Sequence, residues 1–377
     1  MRAAFHLSAL SDLIVARIRG SGPITVAEYM ELALYHPEHG YYSSAAQRSG
    51  RGGDFFTSVD VGALFGEILA VQLDEMWTVL REAGATHFDF VEAAAGNARL
   101  AHDILEAASQ NHEDLYAHLR VTLVEPSAHA RAAQGQTIGG RHRSKIRASM
   151  TALPSEVTGV IFANELLDAM PVHVVTPAGD HLQEVYVDER DGTLIETPGP
   201  PSTAAISDYF DRLGVQPAAG ARVEVGLGAV EWIRTAAAAL DRGFLVLIDY
   251  GRRAGELCAS HANGTLTSYR AHTADANWLA DPGGRDLTAQ VNLTAIERAA
   301  RAAGLDVLGM VDQTYFLTAL GLVERLDAGS APASVRRRLA AKTLIEPAGL
   351  GGTMKVLIFA RRVGHPALAG LSSGRLT

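Results

Sequence analysis

The chain has 377 residues, of which 47% are hydrophobic, so it is long enough to form a large buried core. Its formal net charge of -9 at pH 7 argues against general attraction to nucleic acid. The single cysteine, Cys258, excludes an internal disulfide framework, and no cluster of metal ligands is visible. Because no run of about 18 apolar residues occurs, we expect a soluble cytoplasmic protein with no cleaved targeting segment and no membrane insertion.

The N-terminal part, residues 1–82, has mainly helical patterns. Thr25 and Glu28 have the spacing of a capping box, in which two side chains satisfy free backbone amides at the start of a helix. That helix continues to about Tyr35, and a segment rich in Ser and Gly then predicts a loop. Further helices are predicted over residues 7–19 and 63–81.

From residue 88 onward, short apolar runs alternate with helical patterns, which is typical of a parallel sheet covered on both faces. The predicted strands are 88–92, 121–125, 160–163, 244–249 and 354–360, and the predicted helices are 98–109 and 293–303. Four runs end at or just before a polar residue, namely Glu92, Glu125, Asn164 and Asp249. Ligands of open parallel sheets bind beyond the carboxyl ends of the strands, so these four residues are expected at one binding edge. We predict an α/β sheet domain formed by residues 83–172 and 202–377.

Residues 173–201 follow a different pattern. Apolar and polar residues alternate there, as in Val185-Tyr186-Val187, and turn signals occur at Gly179-Asp180 and at Asp191-Gly192. This pattern predicts a small β-meander inserted into the sheet domain.

Five groups of short motifs resemble one protein family. They are YMELALYHP (29–37) with GYY (40–42), GDFFTS (53–58) with FGE (65–67), NELLDAMP (164–171), DYG (249–251), and GTL (264–266) with YRAH (269–272) and DLTA (286–289). In this order they are similar to the MidA-like family of S-adenosylmethionine-dependent methyltransferases, which includes the mitochondrial arginine methyltransferase that assists assembly of respiratory complex I. The resemblance implies a Rossmann-like class I methyltransferase sheet and S-adenosylmethionine as cofactor. It also implies that the methyl acceptor is an arginine of a protein, with a respiratory-chain subunit as the candidate substrate.

The cofactor loop of this family has the pattern Glu-x-Gly-x-Gly-x-Gly after the first strand. The matching stretch here, EAAAGNA (92–98), keeps Glu92 and Gly96 but has Ala94 and Ala98 in place of two glycines. Glycine lets backbone amides approach a ligand and adopts positive φ at little cost, so each alanine adds a methyl group that crowds the loop. The resemblance assigns Glu92, Ala94 and Gly96 to cofactor binding.

Glu125 ends the second predicted strand and is the expected ligand of the cofactor ribose. A carboxylate at this position accepts hydrogen bonds from two hydroxyl groups at once. The alternative is an ordinary acidic residue before the turn at Pro126.

Asp54, Thr57 and Ser58 belong to the N-terminal loop, which the resemblance implies is a lid over the cofactor. The two hydroxyl groups are expected to bind the carboxylate end of the cofactor, and Asp54 to lie beside it. A plain turn followed by a helix cap would have a similar sequence, so both interpretations stay open.

Asn164, Glu165 and Asp168 follow the strand that lies over the reactive end of the cofactor. A guanidinium stays protonated at neutral pH, so paired carboxylates are needed to orient it and accept its proton. Glu165 and Asp168 would share one face if Leu166 and Leu167 began a helix. Asn164 is expected to contact both the cofactor and the acceptor. The alternative is an acidic pair that stabilises a helix N-terminus.

Two other functions remain open from sequence. The replacements at Ala94 and Ala98 are compatible with an inactive relative that keeps the fold and acts in assembly or binding. A nicotinamide-dependent dehydrogenase also uses a glycine loop and an acidic strand end, although it does not account for the Asn164-Glu165 motif.

Overall fold

The computed structural model describes residues 9–43, 54, 57–259, 262–326 and 331–372. Most of the predicted lid loop, residues 44–53, lies outside this part of the chain, as does the first predicted helical turn before residue 9. None of the described helices combines the length and apolar character needed to cross a membrane.

The strands are, in chain order, β1 (Ile24–Thr25), β2 (Phe88–Ala93), β3 (Leu119–Val124), β4 (Ile146–Met150), β5 (Val157–Asn164), β6 (His173–Ala178), β7 (His181–Arg190), β8 (Thr193–Gly199), β9 (Val223–Val225), β10 (Leu240–Arg252), β11 (Thr267–Arg270), β12 (Thr273–Asp275), β13 (Asp286–Thr288), β14 (Val291–Asn292), β15 (Asp306–Asp312) and β16 (Met354–Arg361). The α-helices are α1 (Ala9–Ser21), α2 (Val26–Tyr35), α3 (Leu64–Glu82), α4 (Arg99–Asn111), α5 (Glu113–His118), α6 (Ala128–His142), α7 (Ala205–Leu213), α8 (Leu227–Ala239), α9 (Ala254–Leu257), α10 (Leu293–Ala302), α11 (Gln313–Ala319), α12 (Pro332–Ile345) and α13 (Leu350–Thr353).

The main sheet has the strand order β15-β16-β10-β5-β2-β3-β4, and the short strand β14 pairs with the end of β10. The strands from β10 to β4 are parallel, whereas β16 runs antiparallel to both of its neighbours. Parallel pairing brings the carboxyl ends of β2, β3, β5 and β10 to one edge, as expected from the sequence.

Helices cover both faces of this sheet. Phe90 and its neighbour Val91 point to opposite faces, Phe90 into the core beneath α3 and α4 and Val91 into the core beneath α8 and α10. Both side chains are almost completely buried. Burial on both faces explains why these strands are continuous apolar runs in the sequence.

A second sheet is formed by antiparallel strands. The order is β1-β7-β6-β9, with β8 on the other side of β7. Two of these strands come from outside residues 173–201, since β1 follows α1 and β9 follows α7. The N-terminal region is therefore not helical throughout, because the backbone of Ile24 and Thr25 pairs with the edge of β7.

The capping box predicted at Thr25 is confirmed. The Thr25 hydroxyl accepts the Glu28 N–H at 3.0 Å, and the Glu28 carboxylate accepts the Thr25 N–H at 3.3 Å. Helix α2 then packs its buried residues, among them Tyr29 and Met30, against the second sheet and the small sheet β12-β11-β13. Tyr35 of α2 and Tyr269 and Asp286 of the small sheet line the cavity described below, whereas no described residue of the second sheet does.

Candidate active site

A large cavity lies at the carboxyl ends of β2, β3, β5 and β10, and its volume is about 1340 Å³. A typical pocket for one small ligand occupies roughly 300–1,000 Å³. The cavity therefore has room for two ligands side by side. The predicted site residues that line it are Asp54, Thr57, Glu92, Ala94, Gly96, Glu125, Asn164, Glu165 and Asp168.

The loop after β2 keeps the backbone of a glycine-rich loop although it contains alanines. Ala94, Gly96 and Ala98 have φ values of 55°, 50° and 67°. A left-handed conformation costs a residue other than glycine about 1–2 kcal/mol, so the loop is strained at two positions. The Ala98 side chain is fully buried in the core, whereas Ala94 lines the cavity. Only Ala94 therefore adds a methyl group to the ligand side.

Glu92 lies at the end of β2 and is 5% exposed. Its Oε2 atom has no hydrogen-bond partner among the described residues, and burial raises the pKa of this carboxyl to about 8. A buried hydrogen-bond acceptor that has no donor lowers the stability of the folded protein. A ligand with an N–H or O–H group in this part of the cavity would satisfy it.

Glu125 follows β3 and is hydrogen-bonded to the loop after β2. Its Oε2 accepts the Gly96 N–H at 2.9 Å, and its Oε1 accepts the Ser127 N–H at 2.8 Å. Burial raises the pKa of Glu125, while these two backbone donors favour its charged form. Each carboxylate oxygen has two acceptor sites, so both oxygens can still accept a hydroxyl group.

The structure places the three lid residues differently from one another. The Thr57 hydroxyl donates to Oδ2 of Asp60 at 2.9 Å and caps the short 3₁₀ helix that follows it. Ser58 does not line the cavity; it is fully buried and its hydroxyl donates to Oε1 of Gln313 at 3.0 Å. The expectation that Ser58 presents a hydroxyl to the cofactor is therefore corrected, because the helical turn directs it into the protein.

Asp54 lines the cavity, but both of its carboxylate oxygens bind the protein. Oδ2 accepts the Tyr41 hydroxyl at 2.8 Å, and Oδ1 accepts the Ala271 N–H at 2.9 Å. The Asp54 carbonyl also accepts the His272 N–H at 2.8 Å. These contacts attach this residue to the turn between β11 and β12.

Glu165 lies directly after β5 in a left-handed conformation, with φ of 51°. Its Oε1 accepts hydrogen bonds from Nδ2 of Asn164 at 3.0 Å and from the Ser58 N–H at 3.4 Å. The pKa of Glu165 is raised to about 8, mainly by burial and secondly by repulsion from Asp168. Its Oε2 accepts no hydrogen bond from the described residues.

Asp168 is brought close to Glu165 by a turn. Residues 165–170 are not helical, so the condition of a helix beginning at Leu166 and Leu167 is not met: the Leu167 N–H donates to the buried Asp249 carboxylate instead. Oδ2 of Asp168 accepts the Thr288 hydroxyl at 2.8 Å, while Oδ1 is buried without a partner in the described chain. Burial raises the pKa of Asp168.

The sequence analysis missed several residues at this end of the cavity. Asp286, Tyr35, Tyr42 and Tyr250 also line it. The signal in the sequence was the alternation of Asp286, Thr288 and Gln290, because side chains two residues apart in an extended segment point the same way. The segment contains the family motif DLTA (286–289), and its polar face lies on the cavity side.

No group of three or more His, Cys, Asp or Glu residues is arranged to hold a metal ion in the part of the chain that the structure describes. The residues present do suit S-adenosylmethionine. Glu125 offers acceptors for hydroxyl groups, and Glu92 and Asn164 each have a buried oxygen without a hydrogen-bond donor in the described chain. The space that a Cβ atom would occupy at Gly96 is open, so a ligand can approach the backbone of the loop there. The sheet and this cavity together define a Rossmann-like, S-adenosylmethionine-dependent methyltransferase.

Comparison with known proteins agrees with this class. Residues 68–311 match the model of a family described as S-adenosyl-L-methionine-dependent methyltransferases. The chain belongs to this MidA-like family. The predicted cofactor is S-adenosylmethionine, and this prediction is confirmed.

Similar proteins are known from animals and bacteria. A protein arginine methyltransferase NDUFAF7 homolog of Caenorhabditis elegans, named mitochondrial, is 30% identical over 84% of this chain and 77% of its own length. Human NDUFAF7, also named a mitochondrial protein arginine methyltransferase, is 28% identical over 86% of this chain and 77% of its own length. A crystal structure of a COG1565 superfamily member from Burkholderia thailandensis, bound to S-adenosyl-homocysteine, superimposes with a TM-score of 0.88 and 31% identity, covering 97% of this chain and 95% of that chain.

These relatives correct one prediction. A cytoplasmic location was expected from the lack of a targeting pattern, but the curated animal relatives are named mitochondrial proteins. The cytoplasmic assignment is therefore wrong by this comparison. Charge and hydropathy of the mature part of a protein do not report its compartment, so the composition carried no information on this point.

Proposed function

We propose that this methyltransferase modifies the guanidinium group of an arginine in a protein. The observation that carries the proposal is the pair of cavity-lining carboxyl groups, Glu165 and Asp168, neither of which has a basic side chain as partner in the described residues. Two buried carboxyl groups side by side are unfavourable unless a cation binds between them. A planar guanidinium, which carries one positive charge and five N–H donors, fits this requirement.

The carboxyl groups orient the acceptor and take up its proton. Oε2 of Glu165 and Oδ1 of Asp168 are the oxygens left for N–H groups, because the other oxygen of each carboxyl is bound by the protein. S-adenosylmethionine supplies the activated methyl group. As the new N–C bond forms and the S–C bond breaks, the nitrogen loses a proton, and Glu165, whose pKa is about 8, is suited to accept it.

The cofactor and the acceptor would occupy different ends of the cavity. Glu92, Ala94, Gly96 and Glu125 surround the ends of β2 and β3, which we assign to the cofactor. The acceptor end lies at β5 and β10, up to three strand spacings away, or about 14 Å. Asn164, at the end of β5, has a buried Oδ1 without a partner in the described chain, so we place it between the two ligands. Asp54 and Thr57 would shape the wall.

The division of the chain follows from this arrangement. We propose that residues 83–172 and 202–377 form the methyltransferase core, that residues 1–82 form a helical region with the lid loop, and that the meander of residues 173–201 is an insertion. The pairing of β1 with β7, and the packing of α2 against these strands, support a joint structural role: the N-terminal strand and the insertion would hold α2 in place beside the acceptor end.

The protein substrate is proposed by analogy. Relatives such as human NDUFAF7 are named protein arginine methyltransferases, and the family resemblance implies a subunit of a respiratory complex. The test is to incubate the purified protein with S-adenosylmethionine labelled in its methyl group and an extract of cells that lack the enzyme. Acid hydrolysis of the labelled protein should release methylarginine. Label on another amino acid, or only on small molecules, would contradict the proposal.

A further inference from the structure

The polar face of the segment after β12 lies beside the acceptor carboxyl groups. Asp286, Thr288 and Gln290 alternate along this extended segment, and all three line the cavity. The Thr288 hydroxyl donates to Oδ2 of Asp168 at 2.8 Å, and the Ala289 N–H donates to the Asp168 carbonyl at 3.0 Å. Side chains two residues apart on a strand are about 7 Å apart. Asp286 and the Thr288–Asp168 contact are therefore separated by a gap that a guanidinium spans when it donates a hydrogen bond on each side.

Asp286 is held in place but has no cationic partner among the described residues. It is 6% exposed, and its Oδ1 accepts the Tyr42 hydroxyl at 2.8 Å. Its Oδ2 accepts no hydrogen bond from the described side chains, and no arginine, lysine or histidine among them pairs with it. A buried carboxyl with only a phenol as side-chain partner lacks the cation that such groups normally have.

Aromatic rings border the same space. Tyr42 and Tyr35 stack with ring centroids 5.6 Å apart, and both line the cavity. The Tyr35 hydroxyl is fixed by a 2.9 Å hydrogen bond to the Ala169 carbonyl, next to Asp168. A guanidinium packs well against an aromatic face while its edges bind carboxylates.

We propose that Asp286 is a third acceptor-binding carboxylate, which binds a guanidinium nitrogen through Oδ2, and that Tyr42 positions it. The inference rests on the proposed arginine acceptor and deepens it. The guanidinium would be bound by three carboxyl groups, those of Glu165, Asp168 and Asp286, and would pack against the rings of Tyr35 and Tyr42. A guanidinium has five N–H donors, and a lysine ammonium has three on a single atom. Three separated acceptors therefore favour arginine over lysine.

The burial of Asp286 separates a functional role from a structural one. Burial raises the pKa of Asp286 to about 8, so its charged form is unfavourable in the folded protein without a ligand. Loss of that charge should therefore keep or raise the melting temperature of the ligand-free enzyme, most clearly above pH 8. A residue needed only for structure would give a lower melting temperature.

The test compares Asp286→Asn with Asp275→Asn in the full-length enzyme. Asp275 lies on β12 of the same small sheet, pairs with Arg285 and does not line the cavity. When the concentration of extract protein limits the rate, Asp286→Asn should lower the transfer of labelled methyl groups to extract protein at least tenfold. The variant should also need a higher concentration of extract to reach half of its maximal rate. Affinity for S-adenosyl-homocysteine, measured by titration calorimetry, should stay within twofold of wild type. Asp275→Asn should match wild type in both assays.

Other outcomes are decisive as well. Transfer within twofold of wild type by Asp286→Asn, or joint loss of transfer and S-adenosyl-homocysteine binding, would overturn the inference. If Asp286→Asn does not fold, Tyr42→Phe decides: it should raise the half-maximal extract concentration with cofactor affinity intact, and wild-type behaviour would count against Asp286. Wild-type enzyme that produces no methylarginine would instead refute the proposed function, and the inference with it.

Discussion

The backbone N–H of Gly96 donates a 2.9 Å hydrogen bond to Oε2 of Glu125, and this bond joins the loop after β2 to the acid after β3. The contact holds the carboxylate over the loop before any ligand arrives. A preorganised carboxylate loses less conformational entropy on binding than a mobile one. The two parts of the cofactor end are therefore expected to act together.

Glu125→Gln should weaken S-adenosylmethionine binding by about 1–3 kcal/mol, the usual contribution of a hydrogen bond to a charged group. Titration calorimetry of the folded variant measures this loss. Glu113→Gln is a suitable control because Glu113 is exposed on α5, away from the cavity. Unchanged affinity in Glu125→Gln would remove this residue from the cofactor site.

Ala94→Gly should relieve the strain at φ of 55° and clear the cavity wall. We expect the free energy of unfolding to rise by on the order of 1 kcal/mol and cofactor binding to tighten. Ala98→Gly is the matched control, since it relieves similar strain but loses a buried methyl group worth about 0.8 kcal/mol. Its stability should change little. Weaker cofactor binding by Ala94→Gly would show that the methyl group is a contact rather than an obstacle.

Glu165→Gln should lower methyl transfer about a hundredfold or more while leaving cofactor affinity nearly intact. In wild type, the pKa of about 8 means that the carboxylate forms as pH rises through that value, so kcat/KM for the acceptor should rise over the same range. The variant should lose this dependence. Glu156→Gln controls for the substitution, because Glu156 is also left-handed, at φ of 58°, but exposed at the opposite end of β5. Joint loss of cofactor binding and activity in Glu165→Gln would argue against an acceptor role.

Ser58→Ala tests the corrected position of this residue. Removal of the hydroxyl leaves the buried Oε1 of Gln313 without its donor, so the variant should be destabilised by about 1–3 kcal/mol. Cofactor affinity should not change, since Ser58 does not line the cavity. Chemical denaturation and titration calorimetry measure the two quantities separately. A loss of affinity without a loss of stability would restore the original assignment.

The sequence by itself determined five strands of the main sheet, though not β4, β14 or β15, and the edge at which the site lies. Runs such as 244–249 are apolar on every residue except the last, because both faces of a parallel strand are buried, and the polar residues that follow must then lie at the open edge. Local hydrogen bonds were equally predictable: the capping box at Thr25 depends only on residues three apart.

Only the tertiary structure decided which polar groups face the cavity. Thr57 and Ser58 are neighbours with similar chemistry, yet a single helical turn directs the Ser58 hydroxyl toward Gln313, 255 positions away. Asp286 lies near Asp168 because β13 pairs with β11 and because Thr288 binds Asp168, and neither contact has a local signal in the sequence. Ala94 and Ala98 adopt positive φ although alanine disfavours it, because the surrounding fold compensates for the strain. Such contacts join residues distant in sequence, and periodicity reports only the burial of a face.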